Sequence, residues 1–215
     1  MKRMNIITGH YGSGKSEFSI NFALHKRAGY LVDLDIVNPY FRTRELEETC
    51  EKNGIRLISS GLSGALGSDL PYIAKEVFHP FSETLTSVFD LGGDDVGARI
   101  LRQFAEFSAL KDADFLLCVN CRREETADSE GVIRMLRKIE GSSGIKITGL
   151  INNTNLLRET SLEDLIFGEK VLKEVAERTG LEIKYTGVHE KLLPEIRNLG
   201  GEIIPLKLYL RKPWL

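Results

Sequence analysis

The sequence predicts an α/β fold: a three-layer sandwich with a mostly parallel central sheet covered by helices on both faces. Three observations lead there. Apolar runs of strand length alternate with amphipathic stretches of helical length along the 215 residues. Within the strand-length runs the apolar residues follow one another instead of alternating, as in strands buried on both faces. Strands separated by helices imply right-handed crossovers and therefore a parallel sheet. The length suits one α/β domain, expected over residues 1–215.

Taken in order, "NIIT" (5–8) reads as the first strand, with a helix following from about Gly14 to Lys26. "YLVDLD" (30–35) is the second strand, and "RTRELEETCEKNG" (42–54) a helix stopped at Gly54. "SSGLSGALGSD" (59–69) is a glycine-rich loop, open to two readings: plain surface, or contact with a partner or ligand. Asp69 with Pro71 would start the next helix. Further strands are "IRLIS" (55–59), "SVFDL" (87–91), "DFLLCVN" (114–120) and "KITGLIN" (146–152). Helices are expected near 95–110, 126–140 and 162–179, the last with a capping box of Thr160 and Glu163 and a stop at Gly180. "EIKYTGV" (182–188), a helix near 189–198 and "EIIPL" (202–206) complete the chain.

The strongest chemical signal is Gly9-His10-Tyr11-Gly12-Ser13-Gly14-Lys15-Ser16, which matches G-x-x-x-x-G-K-[ST] between a predicted strand and a predicted helix. By chance a chain of this length shows that pattern roughly once in a hundred. Each part has a physical role. Gly12 and Gly14 let the backbone curl so that successive N–H groups face phosphate oxygens. The helix N-terminus adds its positive end, and Gly9, Ser13 and Glu17 complete the phosphate-binding stretch. Lys15 would reach the β- and γ-phosphates and the Ser16 hydroxyl would ligate Mg²⁺. The fold class becomes a P-loop NTPase sandwich, with Mg²⁺ and a nucleoside triphosphate as expected ligands.

Such chemistry also needs a carboxylate for the metal's water shell and a group that positions water. "VFDLGGDD" offers Asp90 at the end of a buried strand, acting on Mg²⁺ directly or through water, with Gly92 and Gly93 letting backbone approach the γ-phosphate. "LVDLDIVNPYFRTRE" puts Asp33 and Asp35 on one side of a strand's C-terminal end, where ligands bind in open α/β sheets. Asp35, nearer the tip, is the candidate for orienting water, while Asp33 supports Mg²⁺ or caps the loop. Arg42 and Arg44 follow, either contacting phosphate or a substrate carboxylate or, more commonly for such residues, lying solvated on a helix.

The phosphate loop, "VDLD" and "DLGG" together resemble the MinD/ParA-like superfamily, which includes dethiobiotin synthetase, cobyrinic acid synthase domains, Mrp-type carriers and nitrogenase iron protein. The resemblance covers most of the chain and implies ATP, Mg²⁺ and often a nucleotide-bridged homodimer. On it, Lys15 and Ser16 match the phosphate and magnesium positions, Asp35 the switch I aspartate, and Asp90 to Gly93 the Walker B and switch II segment. "GLINNTNL" (149–156) looks like the strand end that meets the base, which would use Asn152 or Asn153. It lacks the N-K-x-D order that reads guanine, so adenine is preferred. The departure is His10, where dimerising members carry a lysine that crosses to the partner's phosphates. Histidine is shorter and charged only near or below a pKa of about 6.5, so crossing catalysis is not expected here.

Other features bound the reading. A net charge of −2 creates no overall basic field, which weighs against nucleic acid. No run approaches membrane length, and three cysteines cannot all pair within one chain, so a reducing, cytoplasmic setting is expected. Cys118-Val119-Asn120-Cys121 is a C-x-x-C pair with no second pair to complete four ligands; Cys118 is expected in the core and Cys121 at the ligand-facing edge. His25, His79 and His189 are dispersed. The sequence thus predicts a Mg²⁺-dependent ATP hydrolase acting as a switch on a protein client. A metabolite kinase or ligase resembling dethiobiotin synthetase, and a carrier module for a metal centre, are the alternatives.

Overall fold

In the computed structural model, residues 2–35, 44–59, 75–93, 97, 100, 104 and 107–210 are described. Eight strands form one sheet: β1 (Met4–Thr8), β2 (Tyr30–Asp33), β3 (Arg56–Ser59), β4 (Ser87–Asp90), β5 (Ala113–Val119), β6 (Gly149–Asn152), β7 (Ile183–His189) and β8 (Glu202–Leu206). Their order is β3-β2-β4-β1-β5-β6-β7-β8, and every neighbouring pair is parallel. All eight strands expected from the sequence are present, and the sheet is parallel throughout. The helices are α1 (Lys15–Lys26), α2 (Arg44–Lys52), the single turn α3 (His79–Ser82), α4 (Ser129–Ser143) and α5 (Leu162–Thr179). Positions 97, 100 and 104 are helical as well.

Strand periodicity sorts the core into two layers. Alternate residues of a strand point to opposite faces. Ile6, Val32, Phe89, Phe115 and Leu117 pack with Val132, Leu136 and Leu172 of α4 and α5 on one face. Ile7, Leu31, Val88 and Leu116 pack with Phe18, Phe22 and Leu46 of α1 and α2 on the other. Phe18 and Phe22 are fully buried and stack at 5.7 Å, each worth about 1.5–3 kcal/mol relative to an exposed ring. Burial on both faces is what made the strand sequences read as unbroken apolar runs.

Two local expectations are corrected. The capping box of α5 is Ser161 with Asp164, one residue beyond the expected pair: Ser161 N–H donates to the Asp164 carboxylate at 2.8 Å and Asp164 N–H donates to Ser161 Oγ. The stretch 190–195 is a 3-10 turn, because Pro194 lies inside it and cannot donate to an α-helical ladder. The glycine-rich loop beyond Ser59, the proposed helix start at Asp69 and Pro71, and Arg42 lie outside the described residues.

The topology sets the site. From β1 the chain crosses to β2 and β3, returns to β4, then passes β1 to continue through β5 to β8. β1 sits where this winding reverses, and ligands of open α/β sheets bind beyond the strands' carboxyl ends at such a point.

Candidate nucleotide-binding site

The loop between β1 and α1 lies across the carboxyl ends of the strands. Gly14 is the N-cap of α1 with φ +78°, a left-handed conformation that costs an L side chain 1–2 kcal/mol or so. A Cβ there would also lie 2.6 Å from Asn153 Nδ2. Having no side chain, Gly14 provides no cap bond, so the first N–H groups of α1 are left for an anion. Gly93 permits a second close approach: a Cβ on it would sit 2.2 Å from the Gly9 carbonyl oxygen. The segment after β4 therefore rests against the start of the phosphate loop. Beside it the Thr8 hydroxyl donates to the Gly92 carbonyl at 3.4 Å.

Lys15, Asp33, Asp35 and Asp90 meet beneath this loop. Lys15 Nζ is 2.6 Å from Asp35 Oδ2, with both side chains buried. Asp33 Oδ1 accepts from the Asp35 N–H at 3.0 Å, and Asp33 stands level with Asp90 on the adjacent strand. Burial opposes charge on Lys15, but Asp90 and Asp35 outweigh it and hold the amine above its usual pKa. Burial, reinforced by Asp90, pushes Asp33 up to about 8. Burial pushes Asp90 up to about 6 against the pull of Lys15 and Ser16. Asp90 Oδ1 accepts from Ser19 Oγ at 3.3 Å, while Oδ2 is buried without a hydrogen-bond partner. The partnerless Asp90 oxygen, buried beside Lys15, marks a place for another cation.

Mg²⁺ fits that place. The orphaned Asp90 oxygen is a hard anionic donor next to the Ser16 hydroxyl, the ligand types Mg²⁺ prefers. Among the described residues no three His, Cys, Asp or Glu side chains could hold a metal by themselves. This suits an ion that draws its remaining ligands from water and phosphate.

The asparagines behave differently from expectation. Asn152 is 0% exposed; its Nδ2 donates to the Leu165 carbonyl at 3.0 Å and its Oδ1 accepts from Thr154 N–H, so its side chain is committed to the fold, away from the cavity. Asn153 Nδ2 donates to the Ser13 carbonyl at 2.8 Å, bracing the phosphate loop from below. The residue of this segment that lines the cavity is Asn155. Glu17 is corrected too: its carboxylate accepts the backbone N–H groups of Tyr209 and Leu210, strapping the segment after β8 to the first turn of α1. Asn21 extends that strap, donating to the Lys207 carbonyl and accepting from its N–H, each at 2.9 Å. Cys121, expected at the ligand-facing edge, is buried in one core layer while Cys118 is buried in the other, so the C-x-x-C pair points to opposite faces of the sheet, as its i, i+3 spacing on a strand implies.

The cavity above the loop holds about 390 Å³, lined by Gly12, Lys15, Ser16, Arg123, Asn155 and Leu210 among others. Sequence reasoning missed Arg123, Asn155 and Leu210. Arg123 carries a signal in the sequence, since it lies three residues past Asn120 at a strand's carboxyl end. His10 Nδ1 stands 3.8 Å from Glu125 Oε2.

Sheet, loop and strand ends together have the α/β fold of a P-loop NTPase. The chain is similar to cell division protein FtsY from Thermotoga maritima, with TM-score 0.52 at 17% identity over 87% of this chain and 62% of that one. It is also similar to signal recognition particle receptor FtsY from Elizabethkingia anophelis, with TM-score 0.52 at 16% identity over 89% of this chain and 59% of that one. At such identities the likeness establishes the fold, and the chain spans less than two thirds of either neighbour. No family model matches the sequence. No curated protein matches it either. No helix among the described residues is long and apolar enough to cross a membrane.

Proposed function

We propose that the protein is a Mg²⁺-dependent ATP hydrolase of the MinD/ParA-like class, in which the bound nucleotide switches the protein between two states that a protein client reads. The observation that carries this reading is the Lys15–Asp35 pair at 2.6 Å beside the orphaned Asp90 oxygen. A phosphate reaching Lys15 competes with Asp35 for its ammonium. Exchange frees Asp35 from the lysine to hold an attacking water, and leaves Lys15 stabilising charge on the transferring phosphoryl group. Ser16 and Asp90 would hold Mg²⁺, whose contribution is to neutralise charge between the β- and γ-phosphates. Occupancy is thereby tied to which group Asp35 pairs with, a local electrostatic change of the kind that drives a switch.

Calorimetric titration with Mg-ATP and Mg-GTP tests the reading. Wild type should bind ATP more tightly than GTP, and Lys15→Ala should lose most of that affinity, about 100-fold. Unchanged binding in Lys15→Ala would sink it. Phosphate release from ATP alone supports a switch, whereas strict dependence on an added small carboxylate or alcohol would move the assignment to a metabolite kinase.

A further inference from the structure

Two consecutive arginines follow β5, and the fold uses them differently. Arg122 Nε donates to Asp164 Oδ1 at 2.7 Å, and its guanidinium lies 4.5 Å from the Phe167 ring, so it ties the β5 tip to the start of α5. Arg123 turns the other way. Its Nε donates to the Gly12 carbonyl at 3.0 Å, and its side chain lies so close over Gly12 that a Cβ there would come within 3.1 Å of it. It lines the cavity together with Lys15 and Ser16.

No carboxylate among the described residues forms an ion pair with Arg123. Of the two acidic residues lining the same cavity, Glu17 holds the Tyr209 and Leu210 backbone, and Glu125 stands 3.8 Å from His10 Nδ1 and makes no ion pair with Arg123. Arg123 is thus a permanent cation, anchored at one nitrogen to the phosphate loop itself, with its terminal amino groups unpaired. Guanidinium presents its N–H groups as a rigid planar fork that matches two phosphate oxygens. Anchoring Nε to a loop carbonyl removes much of the side-chain freedom that binding would otherwise cost.

We propose that Arg123 is a phosphate-binding residue: it grips the phosphate chain of the bound nucleotide from within the same chain that supplies the loop. This rests on the nucleotide reading above and names a residue for it. The site then carries two cations of its own, Lys15 below the phosphates and Arg123 beside Gly12. His10 is not needed as a third.

The experiment compares wild type, Arg123→Ala, Arg123→Lys and Lys15→Ala, measuring Kd for Mg-ATP and for inorganic tripolyphosphate across a range of salt. Arg123→Ala should weaken both ligands by the same factor, about tenfold or more, as expected for charge-assisted bonds to phosphate. Its Kd should also depend less steeply on ionic strength, because one charged contact is gone. Arg123→Lys should keep the wild-type salt dependence while recovering only part of the affinity, since an ammonium cannot reproduce the fork. An Arg123→Ala protein that binds both ligands as wild type does, while Lys15→Ala does not, overturns the proposal and leaves the nucleotide reading standing. Weaker binding with unaltered salt dependence also overturns it, by reducing Arg123 to a brace for Gly12. Wild type that binds neither ligand overturns the nucleotide reading and the proposal with it.

Discussion

At the amino ends of the strands Asp114 accepts from Lys184 Nζ at 2.5 Å and from Thr148 Oγ1 at 3.2 Å, and these partners hold its pKa below the usual carboxylate range despite burial. At the carboxyl ends, Asp33, Asp35 and Asp90 crowd one lysine, and the pKa of Asp33 and that of Asp90 are driven upward. Both ends bury carboxylates in the same sheet. One end matches each charge within the fold and gains stability. The other leaves a buried Asp90 oxygen without a hydrogen-bond partner and holds a place for ligands that bring a cation and take up the lysine.

The contrast can be broken most severely at Asp35. Asp35→Asn should keep or tighten Mg-ATP binding, because Lys15 loses its competitor, yet lower turnover roughly 100-fold if Asp35 orients water. Single-turnover assays beside calorimetry would separate the two effects, and an unaltered rate would remove Asp35 from the chemistry. Asp90→Asn comes next. Mg²⁺ activation should weaken about 10–100-fold, read as a shift in the Mg²⁺ titration of hydrolysis. The same titration in Asp114→Asn should overlay wild type.

The smallest effect distinguishes the two ends by sign. A carboxyl whose folded pKa is raised stabilises the fold below its unfolded value near 3.8, and that contribution is lost as pH climbs through the folded value. In EDTA without nucleotide, melting temperature should therefore fall as pH rises through about 6 and then about 8. Asp114 acts in reverse: its depressed pKa contributes above the unfolded value and is lost on acidification. Asp33→Asn should flatten the upper part of the profile by a few degrees, and Asp114→Asn only the acid limb. An identical upper slope in Asp33→Asn would show that the crowding has no energetic consequence.

Much of this was legible in the sequence, for reasons visible in particular residues. Strand order along the chain was readable because burial on both faces leaves an unbroken apolar run, as in "DFLLCVN". That Lys15, Asp35 and Asp90 lie together was readable because the loop before α1 and the carboxyl ends of β2 and β4 close on one edge of the sheet. The expectation that Asn152 or Asn153 meets the base rests on a resemblance, which cannot tell whether an amide faces a cavity or the neighbouring backbone. Glu17 failed for a similar reason: its partners, Tyr209 and Leu210, are nearly the length of the chain away. Arg122 and Arg123 are indistinguishable as letters and separate only once Asp164 and Gly12 are placed around them.

Cys118 has a practical consequence. Its sulfur lies 3.8 Å from the Ser13 carbonyl directly under the phosphate loop, is 1% exposed, and burial pushes its thiol up to about 12. A thiol reagent gains access there only when the loop lifts from the strand, so the alkylation rate becomes a clock for that opening. Cys50, buried on the inner face of α2 beside the edge strand β3, supplies the baseline for opening elsewhere. With these natural thiols, a mass-resolved labelling series can time the loop against the rest of the fold without any introduced probe.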